Sequence, residues 1–294
     1  MSDFVQQQHT ICNFSNEESW VILSPIEQSI KQKIESLGTP LKDWDIKIYR
    51  GVLTGYNDAF IISTEKRDEI LANCQTEEER VRTAELIRPI LRGRDIKRYA
   101  YDWANLWLIN THNGIKGVKP RIDINDYPAV KAHLDQYWDK ISKRADKGDT
   151  PYNLRNCAYL DDFLQPKVMY PNMTKYLPFY YDEKGFFQND KSFMITGDTI
   201  AFLTAFLNSS IFKFCFLDNF PELQGGTREL RKIFFDKIPV LQVSKEINDA
   251  FIPKINDIQK DYTIQKAMEI DSMLFDLYNL TEEERETIGF IEIT

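Results

Sequence analysis

Apolar residues along this 294-residue chain fall into short runs with two different periods. After an unpatterned polar stretch, 1–19, Ile26, Ile30, Ile34 and Leu37 recur at helical spacing. Ser24 and Glu27 form a capping box around Pro25, and Gly38 ends the helix. DIKIYRGV (45–52) and AFII (59–62) read as strands joined by the loop LTGYND, 53–58. Helices are predicted over 64–73 and 77–87, the second opened by a Thr76–Glu79 capping box and closed before Pro89. LWLIN (106–110) predicts a strand, and YPAVKAHLDQYWDKISKR, from Tyr127, one amphipathic helix. KVMYP, FYYDEKGFFQ and SFMITG predict short strands, with DEKG as a hairpin turn. DTIAFLTAFLNSSIFKFCFL predicts one long buried helix capped by Asp198, and NFPELQGGTREL a loop. Helices over 245–268, 270–279 and 281–288 follow, the last with a Thr281–Glu284 capping box.

The expected fold class is α+β: a mixed body of short strands followed by a helical C-terminal region. The expected division is a loose leader at 1–19, a main domain at 20–244 and a helical region at 245–294. The 200–217 stretch is interrupted by Asn208, Ser209, Ser210 and Lys213, so it reads as core rather than a membrane span. Four scattered cysteines and a start without a signal-peptide pattern give the expectation of a cytoplasmic protein.

Charge changes the picture at one place. The net charge is −8, yet ELIRPILRGRDIKRY (85–99) carries Arg88, Arg92, Arg94, Lys97 and Arg98 against Glu85 and Asp95. Such a cluster serves either as a solvated face paired with acidic neighbours or as a phosphate grip, since guanidinium forks match phosphate oxygens. Two glycine loops raise the same choice. Thr54, Tyr56 and Asn57 lie in LTGYND; Gln224, Thr227, Arg228, Arg231 and Lys232 surround Gly225-Gly226. Each is either a plain connector or a loop that reaches a groove, where Asn and Gln pair with adenine and Arg with guanine.

Catalytic signatures are missing from the sequence. It has no G-x-G, no phosphate-binding loop ending in G-K-[ST], no Pro-Pro and no H-E-x-x-H or G-x-S-x-G. No catalytic residue and no metal ligand is assigned on this basis. A site without a recognised motif stays open.

Several segments in order resemble one family: W-x-I-L-S (Trp20–Ser24), G-V-L-T-G-Y-N-D-A-F (Gly51–Phe60) and I-R-P-I-L-R-G-R-D-I-K-R-Y (Ile87–Tyr99). Tyr127-Pro128, P-K-V-M-Y-P (166–171), F-L-N-S-S (206–210) and L-Y-N-L-T-E-E-E (277–284) follow. The series resembles the TaqI-like C-terminal specificity domain of adenine-methyltransferase and type IIG restriction-modification enzymes. That resemblance implies a DNA target-recognition domain that binds double-stranded DNA beside a methyltransferase domain or subunit. S-adenosylmethionine and Mg would belong to the catalytic partner, and in combined enzymes a nuclease is present as well. By their own chemistry Arg88, Arg92, Arg94, Lys97, Arg98 and Lys232 are expected to contact phosphate, and the resemblance fits that backbone-holding role for Arg92, Arg94, Lys97 and Arg98. Base or groove contacts are expected from Thr54, Tyr56, Asn57, Gln224, Thr227, Arg228 and Arg231, with 111–120 as another reading loop. LTGYND and the basic segment are shared motifs, which fits structural or backbone-holding roles. A rival for the basic segment is a buried Arg94–Asp95 pair. The alternative function is a protein-interaction module that docks a methyltransferase subunit through the C-terminal helices.

Overall fold

The structure is a computed structural model that describes residues 23–292; the 1–19 leader lies outside them. The first helix, α1 (Pro25–Leu37), starts as its capping box dictates. Ser24 Oγ accepts from the Glu27 amide, and the Glu27 carboxylate accepts from the Ser24 amide at 2.6 Å. Ile30 and Ile34 are fully buried on its apolar stripe.

Two four-stranded sheets organise the body. The first has the order β10 (Tyr180–Asp182), β8 (Lys167–Pro171), β12 (Ser192–Gly197), β2 (Ile46–Arg50), all antiparallel. The second has β11 (Phe187–Gln188), β4 (Ile87–Leu91), β7 (Leu106–Ile109), β3 (Ile61–Ser63), with β11 parallel to β4. Strand β8 is buried along its whole length, with the apolar run Val168–Pro171 following a buried Lys167. Val168 and Tyr170 point into one core, while Met169 points the other way with Leu91, Ile96 and Phe186.

The larger core gathers α1, α7 (Ile200–Leu207), α8 (Ser210–Phe216) and the inner face of the first sheet. Helices α10 (Lys245–Lys260), α11 (Ile264–Leu277) and α12 (Glu282–Ile288) bury Phe251, Ile255, Ile270, Leu274 and Ile288 in this same core. A second core forms under the second sheet, around Phe60, Ile87, Leu108, Leu134 and Phe163. It is covered by α3 (Thr64–Ala72), α4 (Glu77–Leu86) and α5 (Pro128–Asp135).

Several expectations are corrected, among them the helices expected over 245–268 and 270–279, which run Lys245–Lys260 and Ile264–Leu277. DEKG does not close a hairpin, because β10 and β11 belong to different sheets. Asp182 turns the chain instead: it pairs with Lys167 at 2.5 Å, both fully buried, and accepts from the Lys184 and Phe186 amides. The long helix from Asp198 is two helices bent by 66° at Asn208–Ser209. Asn208 leaves the helical path because its side chain bonds both backbone groups of Phe179, donating to the carbonyl and accepting from the amide. Ser209 caps α8, and Asp198 caps nothing, since Thr199 holds the N-cap position of α7. The helix from Tyr127 likewise breaks, into α5 and α6 (Trp138–Ile141). Finally, the Thr76–Glu79 box is half made: Glu79 reaches the Gln75 amide and, with its other oxygen, the Ala129 amide, fastening the starts of α4 and α5 together. Among the described residues, no single helix is long and apolar enough to cross a membrane, and the bent α7–α8 pair lies in the core.

Candidate nucleic-acid interface

The basic segment divides into residues that build and residues that are free. Beyond β4 the chain makes one tight turn, Gly93–Asp95. The Arg92 guanidinium forks onto the Asp95 carboxylate at 2.8 and 2.9 Å, and the Arg92 amide donates to it as well. Asp95 is 4% exposed. Its buried partner is thus Arg92, not Arg94, and the pair holds the turn. Gly93 is required here, since a Cβ would stand 2.6 Å from the Lys191 carbonyl oxygen. Arg98 also turns inward. It donates to the Asn208 carbonyl and to the Tyr262 hydroxyl, each at 2.7 Å. That places a cation at the C-terminal end of α7, where free carbonyls favour it.

Arg94 and Lys97 remain. Arg94 is exposed and makes no ion pair among the described residues. Among the described residues Lys97 meets only the Arg94 carbonyl, at 3.1 Å, and the exposed Asp102, at 3.7 Å. Arg88 lies half-buried in β4, opposite Leu108.

Arg94, Lys97 and Arg98 line a cleft of about 460 Å³ together with Met173, Thr174, Tyr176 and Tyr262. Among the described residues no carboxylate lines it, although acidic residues outnumber basic ones, 45 to 37. Part of the lining belongs to β9 (Met173–Thr174), which pairs antiparallel with β13 (Arg228–Glu229). This pairing brings the glycine loop to the basic segment. Tyr176 walls both the cleft and a smaller cavity lined by Lys175, Lys213, Gly226 and Arg228.

The glycine loop is a tight projection. The Leu223 amide donates to the Thr227 carbonyl at 2.6 Å, and Gly225 and Gly226 have φ of 76° and 77°. Gln224 is exposed at the tip, with Thr227 half-buried behind it. Arg228 does not face outward as a base reader would. It donates to the Leu217 and Phe220 carbonyls and meets Asp218 and Glu222, holding the base of the projection. Arg231 pairs with Glu229 at 2.8 Å, and Lys232 with Asp236 at 2.7 Å.

LTGYND is built into the other core. Thr54 is 2% exposed, and its hydroxyl donates to Asn57. Its carbonyl accepts from Arg144, and the Tyr56 ring packs on Tyr137. The buried, bonded hydroxyl removes Thr54 from any groove. None of Thr54, Tyr56 and Asn57 lines the cleft. The 111–120 stretch forms a turn with Ile115 paired to Lys119 and Val118 77% exposed, also away from the cleft. Burial pushes the nearby His112 down from its ordinary value. Sequence reasoning missed Met173, Tyr176 and Tyr262. Their only local signal is a Tyr or Met within two residues of Pro or Asp; the fold gathers them.

This arrangement defines a class: an α+β body with a cationic cleft suited to gripping a polyanion beside a projecting polar loop. Residues 88–240 match the TaqI-like C-terminal specificity domain, and the chain belongs to that family. A type II methyltransferase of Pseudomonas aeruginosa, M.PaeR7I, is 21% identical over 277 residues, covering 92% of this chain and 45% of that protein. Among solved structures, the type IIG restriction endonuclease BpuSI shares the fold with a TM-score of 0.52 and 15% identity. The match covers 87% of this chain and 33% of BpuSI. The type IIL restriction-modification enzyme MmeI, solved in complex with DNA, gives 0.57 and 11%, covering 86% and 36%. The chain thus spans less than half the length of each of these proteins.

Proposed function

We propose that this chain recognises a DNA target sequence for a restriction-modification system and positions a methyltransferase domain or subunit, in combined enzymes with a nuclease, on that site. The observation that carries the reading is the cleft: cations with no carboxylate among its described lining residues in an acidic protein, with Arg94 making no ion pair there and Lys97 paired only to the exposed Asp102. Phosphate held there fixes the register of the duplex, and base edges are left to the Gln224–Gly226 projection beside it. S-adenosylmethionine and Mg are assigned to the partner. Arg92, Arg98 and Arg228 support the surface from behind.

Docking of the partner through the C-terminal helices is favoured by Ile264 and Met268, 45% and 46% exposed one turn apart on α11. The two readings are compatible. The test of DNA reading is selection from a randomised duplex pool at low and moderate salt, with sequencing of the retained DNA. An enriched short motif that persists in moderate salt is expected. Retention without enrichment would limit the chain to holding backbone, and no retention at low salt would leave only the docking role.

A further inference from the structure

A second cavity, of about 180 Å³, lies between the C-terminal end of α3 and the start of α5, in the lobe built on the second core. It shares no lining residue with the cationic cleft. Glu69, Asn73, Gln75, His133 and Gln136 supply its polar lining, and among the described residues no lysine or arginine lines it. His133 is 4% exposed. Its Nε2 stands 3.0 Å from the Ala59 carbonyl, which can only accept, so Nε2 carries the proton and Nδ1 keeps a lone pair. Among the described residues Nδ1 has no hydrogen-bond partner. Burial pushes His133 below its ordinary value, so the ring is neutral at pH 7 and Nδ1 stays an acceptor. A buried acceptor without a donor is costly and seldom left so.

The surroundings favour positive charge. Glu69 is paired with Lys66 through Oε2, in an exposed contact of small net worth. Behind the lining, the buried Glu79 carboxylate accepts from the Gln75 and Ala129 amides, so the N-terminal end of α5 already meets a negative charge. Asn73 holds the C-cap of α3, where helix carbonyls leave a partial negative charge. An anion is therefore disfavoured, and a cation rich in N–H donors is favoured. We propose that this cavity binds a guanidinium group, with His133 Nδ1 and the Glu69 carboxylate as acceptors and the Asn73, Gln75 and Gln136 amides around it. Five N–H donors in a planar fork suit acceptors spread over several side chains better than a compact ammonium does. The volume is about six waters' share, which takes this group on a short alkyl stem. The group arrives either on an arginine of a partner polypeptide or as a free small molecule. The proposal goes beyond DNA recognition and does not depend on it.

The test titrates the full chain with methylguanidinium and with a capped Gly-Arg-Gly peptide, reading the nitrogen-15 resonance of His133 Nδ1 by NMR. The chain has three histidines, so the signal is readily assigned. A saturating shift of Nδ1 toward that of a hydrogen-bonded nitrogen is expected, with His112 unmoved. Tighter binding of the peptide than of methylguanidinium assigns the site to a partner's arginine; equal or weaker binding assigns it to a free guanidine. A capped Gly-Lys-Gly peptide should bind on the order of tenfold more weakly than its arginine counterpart. His133→Gln keeps an N–H for the Ala59 carbonyl and removes the Nδ1 acceptor, so it should weaken binding of the arginine peptide, read by calorimetry. Glu69→Gln changes an exposed side chain and keeps the test open should the first variant not fold; a loss on the order of tenfold is expected. A Nδ1 resonance that does not move overturns the proposal. So does equal binding of the lysine peptide, or an affinity that Glu69→Gln leaves unchanged, since both describe a loose surface attraction for any cation.

Discussion

LTGYND and LQGGTREL look alike as sequences, since each sets a glycine among Thr, Asn or Gln beside a strand. In the structure their fates are opposite, and an arginine decides each. Arg144 sits inside the first. Its guanidinium donates to the carbonyls of Thr54, Asp146, Pro151 and Asn153 and lies 4.4 Å over the Phe60 ring. The motif's own backbone is thereby consumed in holding the second core. Arg228 binds only the base of the second loop, at Leu217 and Phe220, and leaves the tip in solvent. A polar glycine loop keeps its tip in solvent when its clamp grips the stem, and becomes scaffold when its clamp grips the loop.

The sharpest break of this comparison is Arg144→Ala. Burial pushes Arg144 down to about 10, so it stays charged at neutral pH, and its removal takes the donor from the buried Thr54 carbonyl and from the Asp146 and Pro151 carbonyls. A loss of about 3–5 kcal/mol in urea unfolding is expected. A loss below about 1 kcal/mol would show that LTGYND is not held from within.

The second loop separates stem from tip. Arg228→Ala should cost about 2 kcal/mol of stability through its two carbonyl bonds. Gln224→Ala should leave stability within about 0.5 kcal/mol, because its side chain is exposed. It should instead relax preference at one base pair by about 1–3 kcal/mol, read from binding to single-substitution duplexes. Unchanged preference would remove the tip from base reading.

Glycine replacements sharpen the same contrast on a smaller scale. Gly55 has φ of 68°, and a Cβ there would lie 2.9 Å from the Asp146 carbonyl oxygen. Gly225 has φ of 76° with nothing within 4 Å. Both Gly→Ala changes meet left-handed strain, and only the first meets a clash as well. About 2 kcal/mol is expected for Gly55→Ala and about 1 kcal/mol for Gly225→Ala, measured by denaturant midpoint.

What the sequence made legible follows from how local each signal is. Capping boxes such as Ser24–Glu27 and Thr281–Glu284 are closed within four residues and appear as read. The α+β class and the family were legible from element order and the shared motifs. Breaks that depend on distant partners were not legible: Asn208 ends α7 because Phe179 is beside it, and DEKG crosses between sheets because Lys167 holds Asp182. The basic segment was legible as a cluster. The division of labour inside it was not, because Arg92, Arg94, Lys97 and Arg98 differ only in what the fold places near them.

That division supplies the smallest effect on stability and the finest test. Arg94 and Lys97 are exposed; among the described residues Arg94 makes no ion pair, and Lys97 meets only the exposed Asp102, at 3.7 Å. Alanine at either should change unfolding free energy by less than about 0.5 kcal/mol. Each should weaken every duplex to a similar degree and flatten the slope of log affinity against log salt by about one unit, since one counterion release is lost. Arg92→Ala is the matched control in the same turn. It uncovers the buried Asp95 carboxylate, so its loss should appear in urea before it appears in DNA binding. If Arg94→Ala weakened one sequence alone, the residue would be a base reader and the boundary between grip and reader would run through the cleft itself. If instead it unfolded the protein with the salt slope unchanged, Arg94 would join Arg92 in the scaffold, and Lys97 alone would carry the grip.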